Sequence, residues 1–263
     1  MDVQSFAVLP AWLVPLFAGI FGLMFGSFAN VLIYRVPRGE EFVKTPSHCT
    51  SCGHMLKWHE LIPVFSYVAL GGRCKSCKAP VSAIYPVIEC VNALLWVLCA
   101  LRFGLSVELL VGFCLSTVLL ALSVIDWRTQ EIPDGFQLFL LVVGILWNVC
   151  AALIGKGILL QNVIGFFAVS VPLFLLGVLS QGGMGGGDVK LMAVCGLILG
   201  WQKALLALGL AALIGTLVML PIHILRKKER REPIPFGPFL AAGVWAAFLY
   251  GSNIIYAWLG LSL

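Results

Sequence analysis

Apolar residues run along this chain in eight blocks, at approximately 9–33, 84–103, 107–125, 136–154, 158–179, 189–201, 203–225 and 237–259. All but one approach or exceed the ~20 residues that a helix needs to cross the hydrocarbon core. Between them lie 34–83, 126–135, 180–188 and 226–236 on one side. The N-terminus, 104–106, 155–157, a turn near Gln202 and the C-terminus lie on the other. The pattern predicts an all-α polytopic membrane protein of about eight transmembrane helices, with a small insertion between the first two. It divides into a first membrane helix (1–33), a loop domain (34–83) and a seven-helix bundle (84–263). The block 189–201 is the short one. At ~1.5 Å per residue it covers only about 20 Å, which would leave Asp188, just ahead of it, recessed in a water-accessible cavity.

Composition agrees. The chain is 60% hydrophobic and 11% charged, with a mean hydropathy of +1.02, whereas soluble domains average about 25% charged residues. The first block lacks a basic leader and is long enough to span, so a cleavable signal peptide is not expected. Of 17 Lys and Arg, 14 fall on the first side, including the run from Arg226 to Arg231; Arg102, Lys156 and Lys203 fall on the second. The positive-inside rule places the first side in the cytoplasm and both termini outside. The lipid bilayer is the expected partner and nucleic acid is not.

Nine cysteines, an odd number, argue against a disulfide framework. Cys90, Cys99, Cys114, Cys150 and Cys195 are scattered through apolar blocks as small hydrophobes. The other four form Cys49-Thr-Ser-Cys52 and Cys74-Lys-Ser-Cys77, 21 residues apart. Two such knuckles present four thiolates to a tetrahedral Zn2+, a closed and therefore structural site. Zinc would substitute for a core that this insertion is too small to build. His48, His54 and His59 are not needed as ligands, and Glu40, Glu41 and Glu60 read as a solvated face. The uncharged stretch Leu61 to Leu70 is too short to span. It either packs on the knuckles or lies at the membrane surface.

Carboxylates are scarce, and two occupy telling places. Gln181-Gly-Gly-Met-Gly-Gly-Gly-Asp188-Val-Lys190-Leu sets Asp188 behind a glycine run between two apolar blocks. Read alone, it is a flexible loop with an N-capping Asp. Asp126 closes the third block in Ser123-Val-Ile-Asp126-Trp-Arg-Thr-Gln-Glu131-Ile-Pro-Asp134. Two crossings separate Asp126 from Asp188, so both emerge on the same face. Converging carboxylates share a proton, and one can then activate water while the other protonates a carbonyl. The helix dipole favours the Asp188 anion, which leaves the proton on Asp126. Read alone, Asp126 is an interfacial charge capped by Arg128. Gly185, Gly186, Gly187 and Lys190 would border an approaching backbone, and Glu131 and Asp134 read as solvated.

Gly185-Gly186-Gly187-Asp188 is similar to the GxGD motif of intramembrane aspartyl proteases. Five further stretches carry a narrower resemblance. They are Gly26-Ser-Phe-Ala-Asn30-Val-Leu-Ile-Tyr34-Arg35-Val-Pro37, the paired knuckles, Tyr85-Pro86-Val-Ile-Glu89, Asp126 ahead of Ile132-Pro133-Asp134, and Pro235-Phe-Gly-Pro238. Together they resemble the bacterial type IV prepilin peptidases. The resemblance implies a bifunctional inner-membrane enzyme with Asp126 and Asp188 as its catalytic pair. It would cut basic leaders from prepilins or type II secretion pseudopilins on the cytoplasmic side, then N-methylate the new N-terminus with S-adenosylmethionine. No glycine-rich nucleotide loop follows a strand, and Ala93 stands where that family commonly has glycine. Asn30, Arg35 and Glu89 are candidates either for the methyl-donor site or for holding the insertion on the bundle, and Glu89 for pairing with Arg35 or Arg73. Three other readings stay open: a GxGD protease for other signal-peptide-like helices, a proton-coupled transporter, against which stands the lack of inverted repeats, and a zinc-dependent membrane scaffold. A homo-oligomer also stays open.

Overall fold

The computed structural model describes residues 10, 12–180, 185–226 and 235–260, with backbone alone at 222–226. The run Gln181–Met184, most of the cluster from Arg226 to Arg231 and both termini lie outside the described residues. Among the described residues ten α-helices form: α1 Leu13–Arg35, α2 Phe65–Ala69, α3 Ile84–Phe103, α4 Val107–Thr129, α5 Asp134–Leu153, α6 Leu159–Ala168, α7 Ser170–Leu179, α8 Gly186–Leu199, α9 Trp201–Arg226 and α10 Gly237–Leu259. Among the described residues, seven segments are long and apolar enough to cross a membrane, with α6 and α7 counted together. The eighth expected helix is α8, of 14 residues. The protein is all-α; among the described residues the only strand-like pairings are single bridges at the cysteine knuckles, His48 with Met55 and Arg73 with Pro80.

Two departures from the expected spans have local causes. The third block was expected to end at 125, yet α4 continues one turn further, to Thr129. Asp126 therefore sits inside the helix. The Ser123 and Thr129 hydroxyls bond back to the Leu119 and Ile125 carbonyls, and no breaker intervenes before Pro133. The fifth block breaks at Val169 into α6 and α7. Pro172 has no N–H to offer the Ala168 carbonyl, and the Ser170 hydroxyl bonds the carbonyl of Phe166.

The chain forms two compact units, Met1–Thr117 and Val118–Leu263. In the first, α1 lies against α3 with almost no side chain between them. A Cβ on Gly22 would lie 2.7 Å from the Ala93 Cα, and one on Gly26 2.7 Å from the Glu89 Cα. This is the small-xxx-small packing of membrane helices. Asn92 donates to the Gly22 carbonyl at 2.8 Å and accepts from the Thr117 hydroxyl at 3.0 Å, so its buried amide is satisfied across three helices.

In the second unit α8 is the centre, packed against α5, α6, α7, α9 and α10. Leu191 to Gly196, Ile198 and Leu199 are all buried. Gly165 of α6 and Gly196 of α8 bring their backbones into direct contact. A helix leaves its last four carbonyls without partners, and in α8 one of them is answered by a side chain. Asn148 donates to the Leu197 carbonyl at 2.9 Å, and Asn162 donates to the Asn148 carbonyl oxygen at 3.0 Å. Beyond them Gly200, at φ +78°, turns the chain into α9. The turn expected near Gln202 therefore falls two residues earlier.

Candidate active site

Asp188 occupies the first turn of α8, three residues after Gly185, which takes the N-cap position. It is not itself the cap. Its side chain is buried, and its Oδ1 has no hydrogen-bond partner among the described residues. Asp126, also buried, comes from α4 and lies within electrostatic reach of Asp188. Two carboxylates that the sequence places 62 positions apart are thus brought together in one unit.

A third helix holds Asp126 in place. The first four N–H groups of a helix lack intrahelical acceptors, and the Gly237 N–H, at the start of α10, donates to Asp126 Oδ2 at 2.9 Å. A Cβ on Gly237 would lie 2.7 Å from that same oxygen. Pro235-Phe-Gly-Pro238 thus has a physical role that reading the sequence did not supply. No acidic group faces Asp126 from that motif; a backbone donor does, and a backbone donor has no signature of its own.

The glycine run is held from the side by α5. Gln137, buried and not anticipated, donates from Nε2 to the Gly187 carbonyl at 3.1 Å. A Cβ on Gly187 would lie 2.9 Å from that of Ile132, so only glycine lets α8 begin this close to the 130–133 loop. Gly185 and Gly186 are exposed, and a Cβ on Gly186 would meet nothing within 4 Å. Among the described residues, nothing therefore crowds the Gly186 backbone near Asp188. Lys190 points away: its Nζ lies 2.8 Å from Asp134 Oδ1, the two side chains being 59% and 75% exposed. Asp134, expected to be merely solvated, is a surface ion-pair partner.

In the first unit, the Sγ atoms of Cys49, Cys52, Cys74 and Cys77 all lie within 4.8 Å of one another. Bonds of ~2.3 Å to a tetrahedral zinc separate sulfurs by about 3.8 Å, and the Cys49–Cys77 pair is at 3.9 Å. The N–H groups of Ser51 and Cys52 draw the Cys49 thiol down to about 6. Cys52 receives similar help from the His54 N–H, yet neighbouring sulfurs, Cys77 foremost, push it up to about 11. Four cysteine sulfurs this close could hold a metal ion. His54 is not among them. It bonds Glu60 at 3.2 Å, and Glu60, expected on a solvated face, is buried. The Lys57 N–H, then His54, hold its carboxyl below the usual range.

Asn30, Arg35 and Glu89 gather around the insertion. Arg35 donates to the carbonyls of Glu41, Thr45 and Pro46. Asn30 donates to the Tyr85 carbonyl at 3.1 Å. Glu89 accepts from the Val64 N–H at 2.7 Å. The ion pair expected between Glu89 and Arg35 or Arg73 does not appear: Glu89 meets the Val64 N–H and the Ser27 side chain, and Arg35 meets carbonyls of the insertion.

Two family models cover the chain in sequence. The one described as the Bacterial Peptidase A24 N-terminal domain matches residues 20–103, and the one described as the Type IV leader peptidase family matches 113–220. A prepilin leader peptidase/N-methyltransferase of Pseudomonas putida is 37% identical over 281 residues, covering 94% of each chain. The chain belongs to the prepilin leader peptidase/N-methyltransferase family. Family members of the same name from Aeromonas hydrophila and Pseudomonas aeruginosa are each 35% identical, covering 92% and 91% of this chain and 93% and 91% of their own. No solved structure matches. Within the prepilin peptidase pattern, Asp126, Gln137 and Asp188 fall in the leader-peptidase match, and the four cysteines, Asn30, Arg35 and Glu89 in the N-terminal one. Gly237 lies beyond both.

Proposed function

We propose that the protein is an intramembrane aspartyl endopeptidase that removes the basic leader of type IV prepilins or type II secretion pseudopilins. One observation carries this reading: two buried carboxylates from separate helices lie within electrostatic reach of each other next to exposed glycines, and one of them has an oxygen without a partner among the described residues. Asp126 and Asp188 share one proton, since like charges at close range do not both ionise. The ionised member takes a proton from water as its oxygen attacks the scissile carbonyl carbon. The protonated member donates to the carbonyl oxygen, and collapse of the tetrahedral intermediate expels the amine with a proton. The extended leader lies along Gly185 to Gly187, which Gln137 keeps in position. Cleavage takes place at the cytoplasmic face of the bacterial inner membrane, with both termini periplasmic.

Gly237→Ala tests the positioning of Asp126. The new methyl group overlaps Oδ2 and dislodges the carboxylate, and a misplacement of about 1 Å is enough to cost roughly 100-fold. The expected result is a drop of this order in kcat with KM little changed.

The second proposed activity is N-methylation of the new N-terminus with S-adenosylmethionine. Of the side chains proposed for this donor, only Asn30 Oδ1 is buried without a partner. The contacts found for Arg35 and Glu89 run to the insertion, and no step is assigned to either residue. Zn2+ fits the four cysteines of the 34–83 domain, where it would neutralise thiolates and cross-link two knuckles.

The purified protein is expected to cleave a prepilin in detergent with no ion gradient. Mass spectrometry of the product N-terminus should show both the cut before the hydrophobic segment and an added methyl group. Cleavage that required a membrane gradient would instead favour the transporter reading.

A further inference from the structure

Residues 61–72 of the insertion carry no charge, and they are flanked by Glu60 and Arg73. Within them α2 buries none of its residues. Phe65 is 68% exposed and Val68 70%, with Leu61 and Ile62 also exposed. Apolar side chains turned away from their own protein, as Phe65 and Val68 are, must meet another apolar medium or pay for contact with water.

The backbone shows which medium. Val64, a β-branched residue, is held at φ +60° and ψ −49°, and the Phe65 N–H bonds the Pro63 carbonyl across it. This is the rare, strained form of γ-turn, and such strain persists only where the surroundings impose it. The turn directs the Val64 N–H to Glu89 Oε2 at 2.7 Å. Glu89 lies five residues into α3, a membrane-spanning segment, and at ~1.5 Å per residue that is about 8 Å along its axis. Residue 64 is therefore level with the second turn of a transmembrane helix. At the same level α3 turns Ile84 and Val87 outward, both exposed, where lipid must cover them. Trp58, 79% exposed, stands just before the segment, beside Lys57, with Arg73 and Lys75 after it. An aromatic residue and cations bordering an apolar tip are what the headgroup layer favours.

We propose that residues 61–69 dip into the boundary between headgroups and acyl chains of the protein's own membrane, with Leu61, Ile62, Phe65 and Val68 contacting lipid and Glu89 as the tether. The cysteine knuckles are thereby moored to the bilayer by a loop as well as by α1 and α3. This inference is independent of the proposed peptidase activity, because it uses only the membrane helices and the contacts of the insertion.

The test is a photoreactive residue, p-benzoylphenylalanine, placed in turn at Phe65, Val68 and Ser51 of the full chain. The protein is reconstituted in vesicles of phosphatidylethanolamine and phosphatidylglycerol. After irradiation, mass spectrometry should find lipid adducts at 65 and 68 at least five-fold above those at 51, which sits in the first knuckle. Equal yields at the three positions would overturn the proposal, as would adducts at 65 and 68 that join only to this chain or to a second copy. Adding Glu89→Leu should lower the lipid yield at 68 by half or more. An unchanged yield would overturn the role of Glu89 as the tether.

Discussion

Asp188→Asn is expected to abolish leader cleavage while leaving the protein folded and membrane-inserted. Asparagine keeps the size of the side chain and can still occupy the first turn of α8, so loss of packing is not the cause of the effect. It cannot take a proton from water, nor can it share one with Asp126. General acid–base catalysis contributes about 10²–10⁴-fold per group, and groups that act as a unit fail together. A fall of at least about 10³-fold in kcat/KM is the expected reading. Asp126→Asn should fall equally far, and the double variant little further, because the pair is one device. Circular dichroism and size-exclusion profiles matching the unaltered protein would complete the measurement. Retention of a tenth of the activity by either single variant would remove the dyad from the mechanism.

The second large effect concerns the cysteines. Cys74→Ser should reduce the zinc content from one ion per chain to near zero by plasma mass spectrometry. A hydroxyl does not replace a thiolate on zinc, and Cys74 is the most buried of the four. Structural zinc contributes about 10–16 kcal/mol of binding free energy to peptide-sized domains at neutral pH. The 34–83 insertion has little else with which to resist unfolding. Trypsin should then cut at Lys57, Arg73, Lys75 or Lys78 far faster than in the metal-loaded protein. Part of the cleavage activity should survive chelation, since Asp126 and Asp188 belong to the other unit. A chelated protein whose insertion stays protease-resistant would show that zinc does not hold it.

Much of the fold was legible because a membrane imposes a simple rule on sequence. The blocks 84–103 and 237–259 coincide with α3 and α10, and Gly104 and Gly260 punctuate their ends at positive φ. The third block was cut short because Asp126-Trp-Arg-Thr looks like the start of a loop. The helical ladder depends on backbone groups, and these continue through polar residues unhindered. The break at Val169 was hidden for the opposite reason, since Val169 and Pro172 are as apolar as their surroundings.

The site was legible in part. Asp126 and Asp188 stood out as rare carboxylates on the same face, and the structure brings them together. The Gly237 N–H, the Gln137 amide and the Asn148–Asn162 pair did not stand out. Their partners are main-chain carbonyls, other amides or a carboxylate as much as 111 residues away, and nothing in local composition marks such pairings. Glu60 was misjudged for a related reason, because its burial comes from Lys57 and His54 folding over it.

The burial of α8 bears on which membranes the protein can work in. A helix that touches lipid tilts, slides or thins the bilayer when its apolar length and the membrane thickness disagree. Enclosed by five neighbours and pinned at its far end by Asn148, α8 is insulated from that adjustment. Thicker or thinner bilayers act on the outer helices, while the level of Asp188 is set by protein contacts. Across vesicles of different acyl length, cleavage should therefore vary less than the tilt of α1 does.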